Sequence, residues 1–128
     1  MLKPGDTRIY RKQVTAADFA VFENGLVHPV CSTFSLAQAA EWAGRLFVLE
    51  LKEEDEEGIG TFLSINHIAP AFEGEALEVR ATLEKIEGQE VICSFLARVG
   101  ERLVATGETG QKILKKEKLA RILAPRKS

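Results

Sequence analysis

The sequence predicts an α+β fold in which an antiparallel sheet wraps one long, mostly apolar helix. Three observations predict it. From Thr33 to Leu49 the chain is rich in helix formers, lacks proline and carries apolar residues on most faces. From Leu77 to Glu84 apolar and polar residues alternate strictly, as in a half-buried strand. Beyond Glu84, short glycine-containing connections separate apolar runs, the pattern of an antiparallel meander.

Taken in order, Thr7 to Val14 mixes Ile9, Tyr10 and Val14 with charged residues and reads as an edge strand. Thr15-Ala16-Ala17-Asp18 has the chemistry of a helix start: a hydroxyl to cap a free amide and an acid for the positive end of the dipole. It predicts a short helix to about Phe22. Asn24-Gly25 breaks that helix, and His28-Pro29 keeps the chain extended up to the next element.

The long helix beginning at Thr33 is expected to run about four turns. Leu36, Ala40, Ala43 and Phe47 follow helical spacing, while Ala37, Ala39, Trp42, Leu46 and Val48 make other faces apolar, so burial on most sides is expected. Gln38, Glu41 and Arg45 share one polar strip. The acidic run Glu53 to Glu57 reads as a solvated loop. Strands are expected over Ile59 to Ala69, Leu77 to Glu84, Val91 to Val99 and Leu103 to Leu114, joined by turns at Pro70 to Gly74, Glu87-Gly88-Gln89 and Gly100-Glu101. Lys115 to Leu123 predicts a short last helix, and Ala124 to Ser128 a frayed end.

A chain of 128 residues with 45% hydrophobic composition can bury a sizeable core. One domain spanning 1–128 is expected, with 114–128 as a basic extension: Lys112 to Ser128 holds seven Lys or Arg and one Glu. A net charge of −2 gives no overall attraction to nucleic acid or to an anionic membrane, so neither partner is expected. No apolar stretch reaches the roughly 18 residues of a membrane span, and the amino terminus lacks a hydrophobic signal core. Cys31 and Cys93 stand in unlike contexts without metal-ligand spacing, which disfavours a disulfide and points to the cytoplasm. No phosphate loop, dinucleotide fingerprint or metal-binding cluster is present, so neither a metal nor another cofactor is expected.

The residues that can carry chemistry are few. His67 alternates in phase with Leu63, Ile65 and Ala69 and should point toward an apolar layer, where a histidine is commonly a hydrogen-bonded core residue. Glu41 has an ordinary role open to it, since Arg45 lies four residues on and an exposed pair contributes a few tenths of a kcal/mol. Thr33 can serve as a helix cap, worth about 1 kcal/mol. Gly60, with Gly58 on the other side of Ile59, can simply permit a bulge where a strand begins. On a helix Thr33 and Glu41 differ by about 80° in azimuth and roughly 12 Å in rise, so they can border one cleft but not touch.

The order of elements resembles the hotdog fold, in which a sheet wraps a central helix and two subunits usually pair; that resemblance adds an expected homodimer. More narrowly, the chain from about Val14 to Leu114 resembles the fluoroacetyl-CoA thioesterase type of hotdog enzyme. Val30-Cys31-Ser32-Thr33, Glu41 on the long helix, and Gly58-Ile59-Gly60-Thr61 through Asn66-His67 carry the likeness. It implies that Thr33, Glu41 and His67 handle a thioester and that Gly60 lines the acyl pocket.

The function this implies is hydrolysis of a small acyl-CoA thioester to free acid and CoA. Glu41 would activate water or attack the carbonyl itself, or Thr33 would be the nucleophile; His67 would move the proton or polarise the carbonyl, with a helix-start amide near Thr33 facing the oxyanion. Arg98, Arg102 and the basic tail are candidates for the CoA phosphates, against a solvated tail. The alternative is a non-catalytic acyl-CoA-binding or sensing module using the same cleft. A hydratase acting on enoyl thioesters is disfavoured by the lack of a clear Asp-His motif.

Overall fold

The computed structural model describes residues 1–126. Strand β1 spans Thr7–Gln13, β2 Phe19–Phe22, β3 Gly25–Cys31, β4 Glu56–His67, β5 Ala76–Glu87, β6 Glu90–Val99 and β7 Arg102–Lys115; helix α1 spans Thr33–Leu51 and α2 Lys116–Ile122. Five strands form one sheet in the order β1-β5-β6-β7-β4, every neighbour antiparallel, while β2 and β3 form a separate hairpin. The meander β5-β6-β7 turns at Gly88 and Gly100, whose φ of 61° and 57° lie in the left-handed region.

The helix packs across the inner face of this sheet. Leu36, Ala39, Ala40, Ala43, Phe47 and Val48 are buried against Leu77, Val79, Ala81 and Leu83 of β5 and Val91, Cys93, Phe95 and Ala97 of β6. Period-two spacing on the strands therefore meets helical spacing on α1, as the sequence predicts. Burial is one-sided, however. Phe34, Trp42 and Leu49 remain exposed, so α1 is not covered on most sides; Trp42 is only flanked by the edge of Tyr10, at 6.2 Å between ring centroids. The helix is also longer than expected, at 19 residues.

Two local expectations are corrected. The short helix expected to reach Phe22 is a single 3-10 turn, Ala16–Asp18, after which Phe19 to Phe22 pair with β3. The Asp18 carboxylate reaches back to the Thr15 N–H, closing the turn, and two aromatics with Val21 suit a hairpin better than a helix. The acidic run is only partly a free loop. Glu56 and Glu57 begin β4, Asp55 pairs with Lys115 at 3.0 Å, and Glu57 pairs with Arg45 at 2.9 Å. The last helix lies where expected, anchored by buried Leu119; of the end expected to fray, Ala124 to Ser128, the first three residues are exposed and outside any helix or strand, and residues 127 and 128 lie outside the described residues.

Cys31, at the end of β3, and Cys93, in the middle of β6, are both free thiols at 1% exposure. Burial pushes the Cys31 thiol up to about 11 and the Cys93 thiol up to about 12. Among the described residues, no helix is long and apolar enough to cross a membrane.

Candidate active site at the start of the long helix

The start of α1 is held from three directions. The Ser32 N–H donates to the Asp18 carbonyl, the Cys31 N–H donates to the Ala71 carbonyl, and Ser32 Oγ accepts from the Ser35 N–H at 3.0 Å. Ser32, not Thr33, is thus the helix cap, because its extended backbone turns its hydroxyl onto the third amide. Thr33 becomes the first helical residue with its own hydroxyl free. Behind it, burial alone would raise the Asp18 carboxyl, but Lys12 and the Thr15 N–H outweigh burial and hold it below its usual range.

That free hydroxyl meets His67. Thr33 Oγ1 lies 2.9 Å from His67 Nδ1, and His67 Nε2 lies 3.1 Å from the Ala69 carbonyl oxygen. A carbonyl can only accept, so Nε2 carries a proton, and in the neutral imidazole it carries the ring's one proton. Nδ1 is then a lone pair, and the Thr33 hydroxyl donates to it. The expectation that His67 points into an apolar layer is not met: at the last residue of β4 it is exposed, and its ring meets the first residue of α1 instead. Thr33 and His67, with Val30, Ile68, Ala69 and Pro70, line an open depression of about 440 Å³ whose other walls are apolar.

Glu41 sits two turns along α1, outside that depression. It does not pair with Arg45, whose guanidinium turns to Glu57; the Gly58 N–H and this guanidinium hold the Glu57 carboxyl below its usual range. Instead the Glu41 carboxylate lies directly over Gly60, where an added Cβ would collide with Oε1. The structure therefore brings the four residues together as two pairs, Thr33 with His67 and Glu41 with Gly60. Both pairs bridge the same two elements, α1 and β4. Thr33 and Glu41 make no direct hydrogen bond, in line with the eight-residue spacing.

Two arginines considered for CoA phosphates are already engaged. Arg98 bonds Glu78 at 3.1 Å, and Arg102 bonds Glu75 at 2.7 Å and the Pro70 carbonyl at 3.1 Å. Two residues of the site escaped the sequence reading. They are Ser32, whose hydroxyl makes the cap, and Gln111 of β7, buried and donating to the Glu41 backbone carbonyl at 3.1 Å. The missed signal was a polar side chain in phase with Thr109 on a strand whose Glu108 faces outward.

The family profile described as fluoroacetyl-CoA-specific thioesterase matches residues 14–117. The chain belongs to this family. Membership assigns it hydrolysis of acyl-CoA thioesters, and nothing favours a non-catalytic binding module. Among solved structures it is similar to a hypothetical protein of Thermus thermophilus described as a thioesterase superfamily member. The two are 35% identical with a TM-score of 0.90, over 94% of this chain and 89% of that one. A structure of a fluoroacetyl-CoA thioesterase matches at 19% identity and a TM-score of 0.87, covering 98% of this chain and 99% of that one. A hot-dog-like protein from Thermanaerovibrio acidaminovorans matches at 19% identity and a TM-score of 0.83, over 96% and 94%. The fold is the hotdog fold. No functionally curated protein matches the sequence.

Proposed function

We propose that the chain hydrolyses small acyl-CoA thioesters with Thr33 as nucleophile, His67 as its proton acceptor and Glu41 as the group that activates water. The observation that carries this reading is the Thr33 hydroxyl donating to His67 Nδ1 while the Ala69 carbonyl holds the other ring nitrogen. A nucleophile, a base and an orienting acceptor in line are what acyl transfer needs. Thr33 Oγ1 attacks the thioester carbon and His67 takes the hydroxyl proton. The C–S bond then breaks and the CoA sulfur leaves with that proton. Water, deprotonated by Glu41, releases the acid and returns the proton to Thr33. The Thr33 and Phe34 N–H groups in the first turn are the donors available to the oxyanion, since Ser32 Oγ takes the Ser35 N–H and the Ser32 carbonyl the Leu36 N–H. Gly60 lines the acyl side of the site.

The working form in this reading is a homodimer. β4 is the last strand of the sheet, 12 residues long, and its outer edge pairs with no strand among the described residues. Such an edge with exposed Phe62 invites an antiparallel copy of itself. The protein is read as one hotdog domain over 1–128, with 114–128 as its basic extension, working in the cytoplasm, where two free thiols stay reduced.

A thiol-release assay over short acyl-CoA thioesters tests the proposal. Wild type should turn over at least one of them, and Glu41→Gln and His67→Ala should each lower the rate tenfold or more while melting like wild type. Wild-type turnover no better than these variants on every acyl chain would sink it. Sedimentation should give twice the 14.1 kDa chain mass.

A further inference from the structure

Glu41 is gripped twice, once by its backbone and once by its side chain. The backbone contact comes from Gln111, whose Nε2 donates to the Glu41 carbonyl at 3.1 Å. The side-chain contact is with Gly60, over which the carboxylate lies. Gly60 and Gln111 are themselves direct cross-strand partners of β4 and β7. Carbonyl and carboxylate of one helical residue therefore rest on the two members of a single strand pair. Immediately after this pair the β4 register shifts at Thr61, so the pair stands at a fixed point of the ladder.

The approach of α1 to β7 is built for this contact. Gly44 lies one turn beyond Glu41 on the same side of the helix. A Cβ there would stand 2.6 Å from Thr109 Oγ1 and 3.3 Å from Gln111 Nε2. Glycine in a helix interior is unfavourable and needs a compensating reason; here it lets the backbone come down onto two polar side chains. Gln111 is 3% exposed and Thr109 1%, and Thr109 Oγ1 has no hydrogen-bond partner among the described residues. Buried amides are normally retained only where their bonds matter, and the bond Gln111 makes is to Glu41.

We infer that Gln111 is a positioning residue for Glu41: it holds α1 by the Glu41 carbonyl and so sets the carboxylate over Gly60. The inference rests on Glu41 acting in hydrolysis, and it adds a residue from β7, the strand next to β4, to the machinery. Because Gln111 touches no reacting atom, its removal should change turnover and leave substrate binding alone.

The test is a double-mutant cycle in the full chain, read as kcat and KM on the best acyl-CoA substrate together with thermal melts. Gln111→Met keeps the length and loses the donor. It should lower kcat fivefold or more with KM within twofold of wild type. In a Glu41→Gln background the same substitution should change the remaining rate less than twofold, because there is no carboxylate left to place. A merely structural role would lower the rate in both backgrounds, and that outcome overturns the inference, as does a Gln111→Met enzyme with wild-type kcat. Should Gln111→Met fail to fold, Gly44→Ala replaces it: lifting α1 off β7 should lower kcat, and adding Thr109→Ala, which removes the obstructing oxygen, should restore it. Failure to restore counts against the clamp. A fully active Glu41→Gln enzyme overturns the functional reading and this one with it, whereas an impaired Glu41→Gln enzyme beside an unimpaired Gln111→Met enzyme overturns this one alone.

Discussion

Thr33 Oγ1 and His67 Nδ1 stand 2.9 Å apart, and the Ala69 carbonyl behind the ring decides which of them holds the proton. If that hydroxyl attacks the thioester, Thr33→Ser should keep most of the activity and Thr33→Val, similar in shape, should lose about a hundredfold in kcat, the scale of a lost acid-base pair. Steady-state kinetics on both variants checks this. Equal rates for the two would remove Thr33 from the chemistry. Mass spectrometry of quenched turnover should find the acyl group on the Thr33 peptide.

Gly60→Ala should separate stability from catalysis. Gly60 has no positive φ, so its backbone accepts alanine, yet the new Cβ would displace the Glu41 carboxylate. We expect an unchanged or slightly raised Tm, from a less flexible unfolded chain, beside a kcat lowered at least tenfold. A melt and a rate measurement on one preparation suffice; full activity would show that the carboxylate works elsewhere.

The cap at Ser32 affects both. Ser32→Ala removes the acceptor for the Ser35 N–H at the turn that carries Thr33. The cost should be about 1 kcal/mol, a fall in Tm of roughly 3–5 °C for a chain of this size. Activity should fall as well, and Ser32→Asp should recover the Tm. Unaltered melting in Ser32→Ala would show the cap to be idle.

Acid should loosen the loop that carries Ala69. Arg102 and the Phe72 N–H hold the Glu75 carboxyl down to about 2, from an ordinary 4.5, while Arg102 also binds the Pro70 carbonyl. The folded value is depressed, so the stability it confers is fully present above pH about 4.5 and is lost as pH falls toward about 2. Glu75→Gln should therefore be less stable than wild type at neutral pH and lose less on acidification through that window. Parallel pH curves for the two proteins would refute the assignment.

Much of the fold was legible because it follows from local periodicity. Leu77, Val79, Ala81 and Leu83 are all buried as their alternation implies, and the apolar run from Thr33 is a helix. What failed depended on partners distant in the chain. Thr15 to Asp18 carries helix-start chemistry, but pairing with β3 takes Phe19 onward into a hairpin. Arg45 suits Glu41 within the helix, yet Glu57 is bonded to it across the fold. The candidate residues Thr33, Glu41, His67 and Gly60 could be named from type, spacing and family likeness. Their division into two pairs could not, because it depends on how α1 crosses β4. Gln111 was invisible for the same reason, its partner lying 70 residues away.

The two buried cysteines bear on how such an enzyme can be assayed. CoA release is followed with reagents that consume thiolates, and a protein with reactive cysteines adds its own signal. Cys31 and Cys93 are each 1% exposed, with thiols raised to about 11 and about 12, so the folded chain should be silent to such a reagent at neutral pH. Every equivalent of colour then reports turned-over substrate. In denaturant the same reagent should count two thiols per chain, turning the background into a measure of unfolding.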